Sequence, residues 1–120
     1  MSVEFYGIPN CDTVKKARTW LEARDIAYTF RDYKKEGADP AKLFAWNDAV
    51  GWEALLNRRG TTFRGLSEAD KADIDRNKAL RLMEANPSLI KRPVLEHAGG
   101  VLVGFDAGAW EAALTDGSRQ

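Results

Sequence analysis

One cysteine stands where a strand gives way to a helix, and it is the residue best suited to chemistry in this chain. Cys11 follows a β-rich run over residues 3–6 and a turn containing Gly7 and Pro9, and a helical pattern begins directly after it. A sulfur at the first turn of a helix faces unpaired backbone N–H groups and the positive end of the helix dipole, which favour the reactive thiolate. The alternative interpretation is a small buried hydrophobe, which most free cysteines are.

Polar and charged residues flank this cysteine. Lys15 lies four residues after Cys11, on the same face of the predicted helix, and its charge should lower the pKa of the thiol. Asn10 and Thr13 are placed either to cap the helix or to form a hydrogen bond with the sulfur, and the sequence leaves both roles open.

No second cysteine is present to resolve an oxidised Cys11. The position of a C-x-x-C partner holds Val14, so a disulfide or sulfenic acid at Cys11 requires a thiol from a small molecule or a partner protein. A single cysteine also excludes an internal disulfide framework and a cysteine-rich zinc site, and we expect no metal.

A second candidate site is the pair Arg92-Pro93, at the start of a predicted strand. Proline is permitted there, its peptide bond is sometimes cis, and the preceding arginine can then bind an anion with its forked guanidinium. The alternative for Arg92 is an ordinary surface arginine. Arg58, with Arg59 and Arg64, lies in a Gly/Thr-rich loop that is either an anion-binding edge or a solvated loop.

The elements that must position these residues have the order β-α-β, a helical block, then β-β-α. We predict strands over residues 3–6, 27–30, 93–96 and 101–105, with helices over 13–24 and after Asp106. The first of these helices has Val14, Ala17 and Leu21 at helical spacing, which predicts its apolar side. A βαβ unit requires a parallel crossover, and the later hairpin adds antiparallel strands, so the pattern indicates an α/β fold with a four-stranded mixed sheet.

The middle of the chain is predicted to be helical. Asp39 and Pro40 begin a helix that Gly51 ends, and residues 52–56 and 75–85 form two more. The first of these helices has an apolar face, and the connecting segments 31–37 and 58–62 are predicted to be loops. That apolar face consists of Leu43, Phe44, Trp46 and Val50.

Composition bounds the partners and the compartment. The chain has 120 residues, with 18 basic and 18 acidic side chains, which gives no reason to expect binding to nucleic acid or to an anionic membrane. No apolar run reaches membrane length and no secretory signal is visible, so the expected location is the cytoplasm.

Three segments resemble the arsenate reductase (ArsC) and Spx family. They are residues 6–18 (YGIPNCDTVKKAR), 52–62 (WEALLNRRGTT) and 87–95 (PSLIKRPVL), in the family's order and spacing. The resemblance extends from Val3 to about Leu114 and is strongest to the YffB-like branch. It implies a thioredoxin-like fold in one domain, 1–114, with the thioredoxin-like part at 1–37 and 88–114. Residues 38–87 would be a helical insertion and 115–120 a flexible tail.

The resemblance also implies a function. Cys11 would be the nucleophile and Pro93 a cis-proline beside it, in a monomeric, glutathione-dependent thiol reductase with no bound cofactor. Glutathione would be the co-substrate, glutaredoxin a candidate partner, and Arg92 and Arg58 candidate anion-binding residues. The alternatives are an arsenate reductase and an Spx-like regulator that binds RNA polymerase.

The arginines that surround the oxyanion in arsenate reductases of this family are matched incompletely. Arg92 matches one of three, the position of another falls on Asn57 with Arg58 beside it, and the third falls near Gly104. We therefore expect weak or absent arsenate reduction.

Overall fold

The computed structural model describes residues 3–118, which form two compact units. The first unit contains the chain up to Asp32 and from Arg92 onward, and the second contains Tyr33–Lys91. In chain order the elements are β1 (Val3–Gly7), α1 (Asp12–Ala23), β2 (Tyr28–Asp32), α2 (Tyr33–Glu36), α3 (Pro40–Val50), α4 (Trp52–Leu55), α5 (Thr61–Arg64), α6 (Glu68–Lys71), α7 (Arg76–Ala85), a 3-10 turn (Pro87–Leu89), β3 (Val94–His97), β4 (Gly100–Val103) and α8 (Ala107–Ser118).

The first unit is built on a four-stranded mixed sheet with the strand order β2-β1-β3-β4. Strands β1 and β2 are parallel, with Phe5 opposite Phe30, while β3 runs antiparallel to β1 with Leu95 opposite Phe5. Strands β3 and β4 form the predicted hairpin. The α/β fold class predicted from the sequence is confirmed.

Helix α1 packs its apolar side against the sheet. Val14, Ala17 and Leu21 recur at helical spacing and are fully buried, as the periodicity predicted. They share a core with residues of β1, β3 and α8, and the Trp110 indole N–H donates to the Gly104 carbonyl at 3.0 Å. This core holds the start of α1 in a defined place beside the end of β1.

The second unit consists of short helices with well-formed ends. Helix α3 begins at Asp39, whose carboxylate accepts from the Ala41 N–H at 2.9 Å, and it ends at Gly51, which has φ 87°. Helix α7 begins at Asp75 in the same way, with a 2.9 Å bond from the Lys78 N–H. Both starts agree with the sequence-based predictions.

The boundary between the units differs from the prediction. Residues 31–37 are not a loop: β2 continues to Asp32, and α2 follows at once. Tyr33 is buried and its hydroxyl donates to the Ile90 carbonyl at 2.9 Å, which ties this segment to the second unit. The units therefore divide after Asp32 and after Lys91, rather than after residues 37 and 87.

Three further local predictions are corrected. Phe44 does not join the buried face of α3 and is 52 % exposed, beside an open apolar groove between α3 and α7. Residues 61–64 form α5 instead of continuing the predicted loop. Helix α8 continues through Ser118, past the end that the sequence predicted for it, and residues 119–120 of the predicted tail lie outside the described part of the chain.

Candidate active site

Cys11 occupies the N-cap position of α1. Its backbone is extended, with φ −102° and ψ 126°, and its carbonyl accepts the first intrahelical bond, from the Lys15 N–H at 2.9 Å. The side chain is half-buried and touches the hydrophobic core of the first unit. The sulfur thus stands at the point where helix α1 leaves its first N–H groups without intrahelical acceptors.

Three donors stabilise negative charge on this sulfur. The side chain makes no capping hydrogen bond of ordinary geometry, but the backbone N–H groups of Val14 and Thr13 and the Arg92 guanidinium stabilise a thiolate at this position. Partial burial raises the pKa of the thiol, yet the Val14 N–H, the Arg92 hydrogen bond, the Thr13 N–H and the Arg92 charge together outweigh it. The pKa of Cys11 therefore lies below its ordinary value.

The sheet explains how two residues so far apart in sequence meet. Strand β1 leads into Cys11, and Arg92 stands just before β3, the strand that pairs with β1. Because Tyr6 is opposite Val94, the end of β1 and the beginning of β3 lie side by side. The Arg92–Pro93 peptide bond is cis, which confirms the prediction.

Comparison with known proteins places this arrangement in a family. Residues 6–113, which include the three donors and the sulfur, match the ArsC family model. The chain belongs to the ArsC family. The solved YffB protein has 56 % sequence identity to this chain and a TM-score of 0.91, covering 94 % of this chain and 99 % of the other.

Two further relatives extend the comparison. An arsenate reductase (ArsC) related protein from Brucella melitensis is 55 % identical, with a TM-score of 0.75 and 93 % of each chain covered. The global transcriptional regulator Spx of Listeria innocua is 29 % identical over 106 residues, which cover 87 % of this chain and 80 % of the relative. The resemblance to the ArsC and Spx family that the sequence indicated is confirmed.

The other predicted site residues differ in what the structure shows of them. Asn10 and Lys15 are exposed, and the side chain of Lys15 is not among the groups that lower the Cys11 pKa. Thr13 contributes through its backbone N–H. Arg58 belongs to the second unit, where its guanidinium lies over Trp52, 5.7 Å from the ring centroid.

The backbone of Val14 is the functional feature that sequence analysis missed. Val14 drew notice as a core residue and as the place of an absent cysteine, but its N–H is the largest of the effects that lower the Cys11 pKa. The signal was available in principle, because the N–H of the third helical residue is the usual target of an N-cap side chain.

Two other residues complete the description of the first unit. Gly104, where the family's third arginine would fall, has φ 75° and donates its N–H to the Pro93 carbonyl at 2.8 Å. His97 lies at the other end of β3, where its Nδ1 accepts from the Gly99 N–H, and burial lowers the pKa of its ring.

The residues that the structure describes, 3–118, give no support for a metal site or a membrane span. Among the side chains described there, which end at Leu114, no group of three or more histidine, cysteine or acidic residues is arranged to hold a metal ion. No helix in the same range is long and apolar enough to span a membrane.

Proposed function

We propose that this ArsC-family protein is a thiol oxidoreductase in which Cys11 exchanges disulfides with glutathione. The observation that carries the proposal is a half-buried sulfur whose pKa is lowered by two backbone N–H groups and by Arg92. A lowered pKa increases the thiolate fraction near neutral pH, and the thiolate is the attacking species. The single cysteine of the chain assigns the resolving step to an external thiol.

The proposed reaction has two exchange steps. The Cys11 thiolate attacks the glutathione sulfur of a mixed disulfide, the substrate's S–S bond breaks, and the substrate leaves as a thiolate that takes a proton from water. A second glutathione thiolate then attacks the glutathione sulfur bound to Cys11. This releases oxidised glutathione and regenerates the Cys11 thiolate. One glutathione thiol is consumed in each cycle: its sulfur is oxidised as the substrate sulfur is reduced, and the proton that it loses balances the proton that the substrate takes up.

Arg92 has a double role in this proposal. Its guanidinium stabilises the Cys11 thiolate before attack, and it remains beside the sulfur when the mixed disulfide forms. A carboxylate of glutathione would then replace the thiolate as the partner of the charge, in the forked geometry that arginine favours. Asn10 keeps its predicted role of stabilising the thiolate, and Arg58 keeps its predicted role of binding an anion.

The direct test is intact-mass analysis after incubation with excess oxidised glutathione. We expect one glutathione per chain on the wild type, released by reduced glutathione and faster with glutaredoxin, and none on Cys11→Ser. A wild-type chain that forms only a Cys11–Cys11 dimer under excess oxidised glutathione would contradict the proposal. Size-exclusion chromatography of the reduced protein, before oxidised glutathione is added, tests the expected monomer.

Arsenate reduction is the second candidate, and it is favoured by the similarity to an arsenate reductase (ArsC) related protein. Stabilising the charged arsenate adducts needs several converging donors, each worth roughly 1.5–3 kcal/mol when charge-assisted. Arg92 supplies one, and Gly104 supplies no side chain at the place of another. We expect little arsenate-dependent NADPH oxidation in a coupled glutathione–glutaredoxin assay, and robust turnover lost in Cys11→Ser would reverse the ranking.

A regulatory role is the third candidate, because an Spx regulator is among the relatives. A pull-down with the C-terminal domain of the RNA polymerase α-subunit distinguishes this regulatory role from an enzymatic one. Stable capture of this chain, together with no glutathione adduct on Cys11, would favour the regulator.

A further inference from the structure

The last residue of β1 makes an unusually close approach to helix α1. Gly7 is buried, and a Cβ atom built on it would lie 3.0 Å from Val14 Cγ2 and 3.5 Å from Val14 Cγ1. Its φ is not in the left-handed region, so the backbone would accept alanine and the obstacle is purely steric. The side chain of Val14 therefore occupies the space that a side chain at position 7 would need.

Val14 cannot easily give way. It is fully buried in the core of the first unit, and a β-branched side chain in a helix has one strongly preferred rotamer. A Cβ at position 7 would therefore have to move α1 itself away from the sheet by a few tenths of an ångström.

That movement matters because the donors to the sulfur come from two sides. The Thr13 and Val14 N–H groups belong to α1, while Arg92 stands at the head of β3 in the sheet. Cys11, at the start of α1, receives both sets. The distance between α1 and the sheet thus decides whether the sulfur meets the helix donors and Arg92 together.

We propose that Gly7 is a positioning residue of the candidate active site: its lack of a side chain lets Val14 lie against β1, and this contact places the Cys11 sulfur within reach of Arg92. The inference rests on the proposed role of Cys11 as a nucleophile. It assigns to Gly7 no contact with a substrate.

The test measures the pH midpoint of Cys11 alkylation by iodoacetamide in Gly7→Ala. We expect the midpoint to rise by about half a pH unit, which lowers the alkylation rate well below the midpoint about threefold. Gly108→Ala is the matched control, because the added Cβ makes an ordinary 3.4 Å contact in α8 of the same unit, and its midpoint should equal that of the wild type.

Two double variants separate positioning from general destabilisation. In a Val14→Ala background the clash is removed, so adding Gly7→Ala should leave the midpoint unchanged. In an Arg92→Ala background the donor from the sheet is already lost, so Gly7→Ala should have a smaller effect than in the wild type. A shift of the same size in either background, or no shift in folded Gly7→Ala, overturns the proposal.

The folding of the variants also bears on the proposal. If Gly7→Ala does not fold, we expect Val14→Ala to restore folding in the double variant, and failure of that rescue overturns the steric argument. Alkylation uses no glutathione, so the outcome is independent of the adduct test. A midpoint shift without any glutathione adduct would refute the proposed function and leave the role of Gly7 standing.

Discussion

The starts of α1 and α7 solve the same backbone problem with different atoms. At α7 the Asp75 carboxylate accepts from the Lys78 N–H at 2.9 Å, and the Asp39 and Asp106 carboxylates act likewise at α3 and α8. At α1 the N-cap residue is Cys11, which offers a sulfur and no oxygen. The N–H groups of its first turn are therefore left to stabilise a charge that forms on that sulfur.

The difference shows how a helix start can serve either stability or chemistry. An N-cap oxygen acceptor stabilises a helix by about 0.5–2 kcal/mol. Helix α1 lacks most of this stabilisation while the Cys11 thiol is protonated. Two fully buried large side chains of α1, Val14 and Leu21, offset that loss, because burial of a large apolar side chain contributes about 1.5–3 kcal/mol. Packing secures α1, and its first turn remains available for the thiolate.

Converting the start of α1 into an ordinary cap should give the largest effect. Cys11→Ser replaces the sulfur with an oxygen acceptor, so the glutathione adduct should disappear completely in intact-mass spectra. The free energy of unfolding should rise by up to about 1 kcal/mol near neutral pH, measured by urea titration. A serine variant less stable than the wild type at that pH would show that an oxygen at position 11 does not cap α1 as Asp75 caps α7.

The same variant has a pH dependence whose sign follows from the lowered pKa. Ionisation of Cys11 stabilises the folded state fully above the unfolded thiol pKa of about 8.5, and this contribution is lost as pH falls through the lower folded value. The gain in free energy of unfolding from Cys11→Ser should therefore be larger at acidic pH. It should shrink as the pH rises past the pKa of the unfolded thiol. A difference independent of pH would mean that the thiolate gains nothing from its neighbours.

Removing the donor from the sheet should have the next largest effect. Arg92→Ala takes away a charge-assisted hydrogen bond worth roughly 1.5–3 kcal/mol, so glutathione exchange should slow by about tenfold or more. The alkylation midpoint of Cys11 should rise in the same variant. Arg81→Ala, on α7 in the second unit, is the matched control and should change neither quantity.

Removing an oxygen cap from the second unit should cost stability and leave the chemistry unaltered. Asp75→Ala deletes the acceptor for the Lys78 N–H, and we expect the free energy of unfolding to fall by about 1 kcal/mol. Asp75→Asn retains an acceptor and should recover most of that loss. An altered alkylation midpoint in folded Asp75→Ala would show that the two regions are coupled.

The sequence could predict what depends on local pattern. The spacing of Val14, Ala17 and Leu21 predicted the buried side of α1. Asp39 predicted the start of α3. Both signals act within a few residues of the chain. It did not predict α2, since the burial of Tyr33 depends on a bond to the distant Ile90 carbonyl. It also overlooked the Val14 N–H, because backbone donors carry no residue type.

The smallest expected effect concerns Lys15, which the sequence pattern proposed as the charge that lowers the Cys11 pKa. The structure places its side chain in solvent, and the shift arises from the backbone N–H groups and Arg92. Charge pairs that reach into solvent contribute about 0–1 kcal/mol and are screened by salt.

Lys15→Gln should therefore move the alkylation midpoint by no more than roughly 0.3 pH units at low salt. High salt should remove even that change, whereas the effect of Arg92→Ala should largely persist, because its half-buried guanidinium is screened less. A Lys15→Gln shift as large as that of Arg92→Ala would mean that a side chain on the exposed face of α1, and not the junction of helix and sheet, activates Cys11.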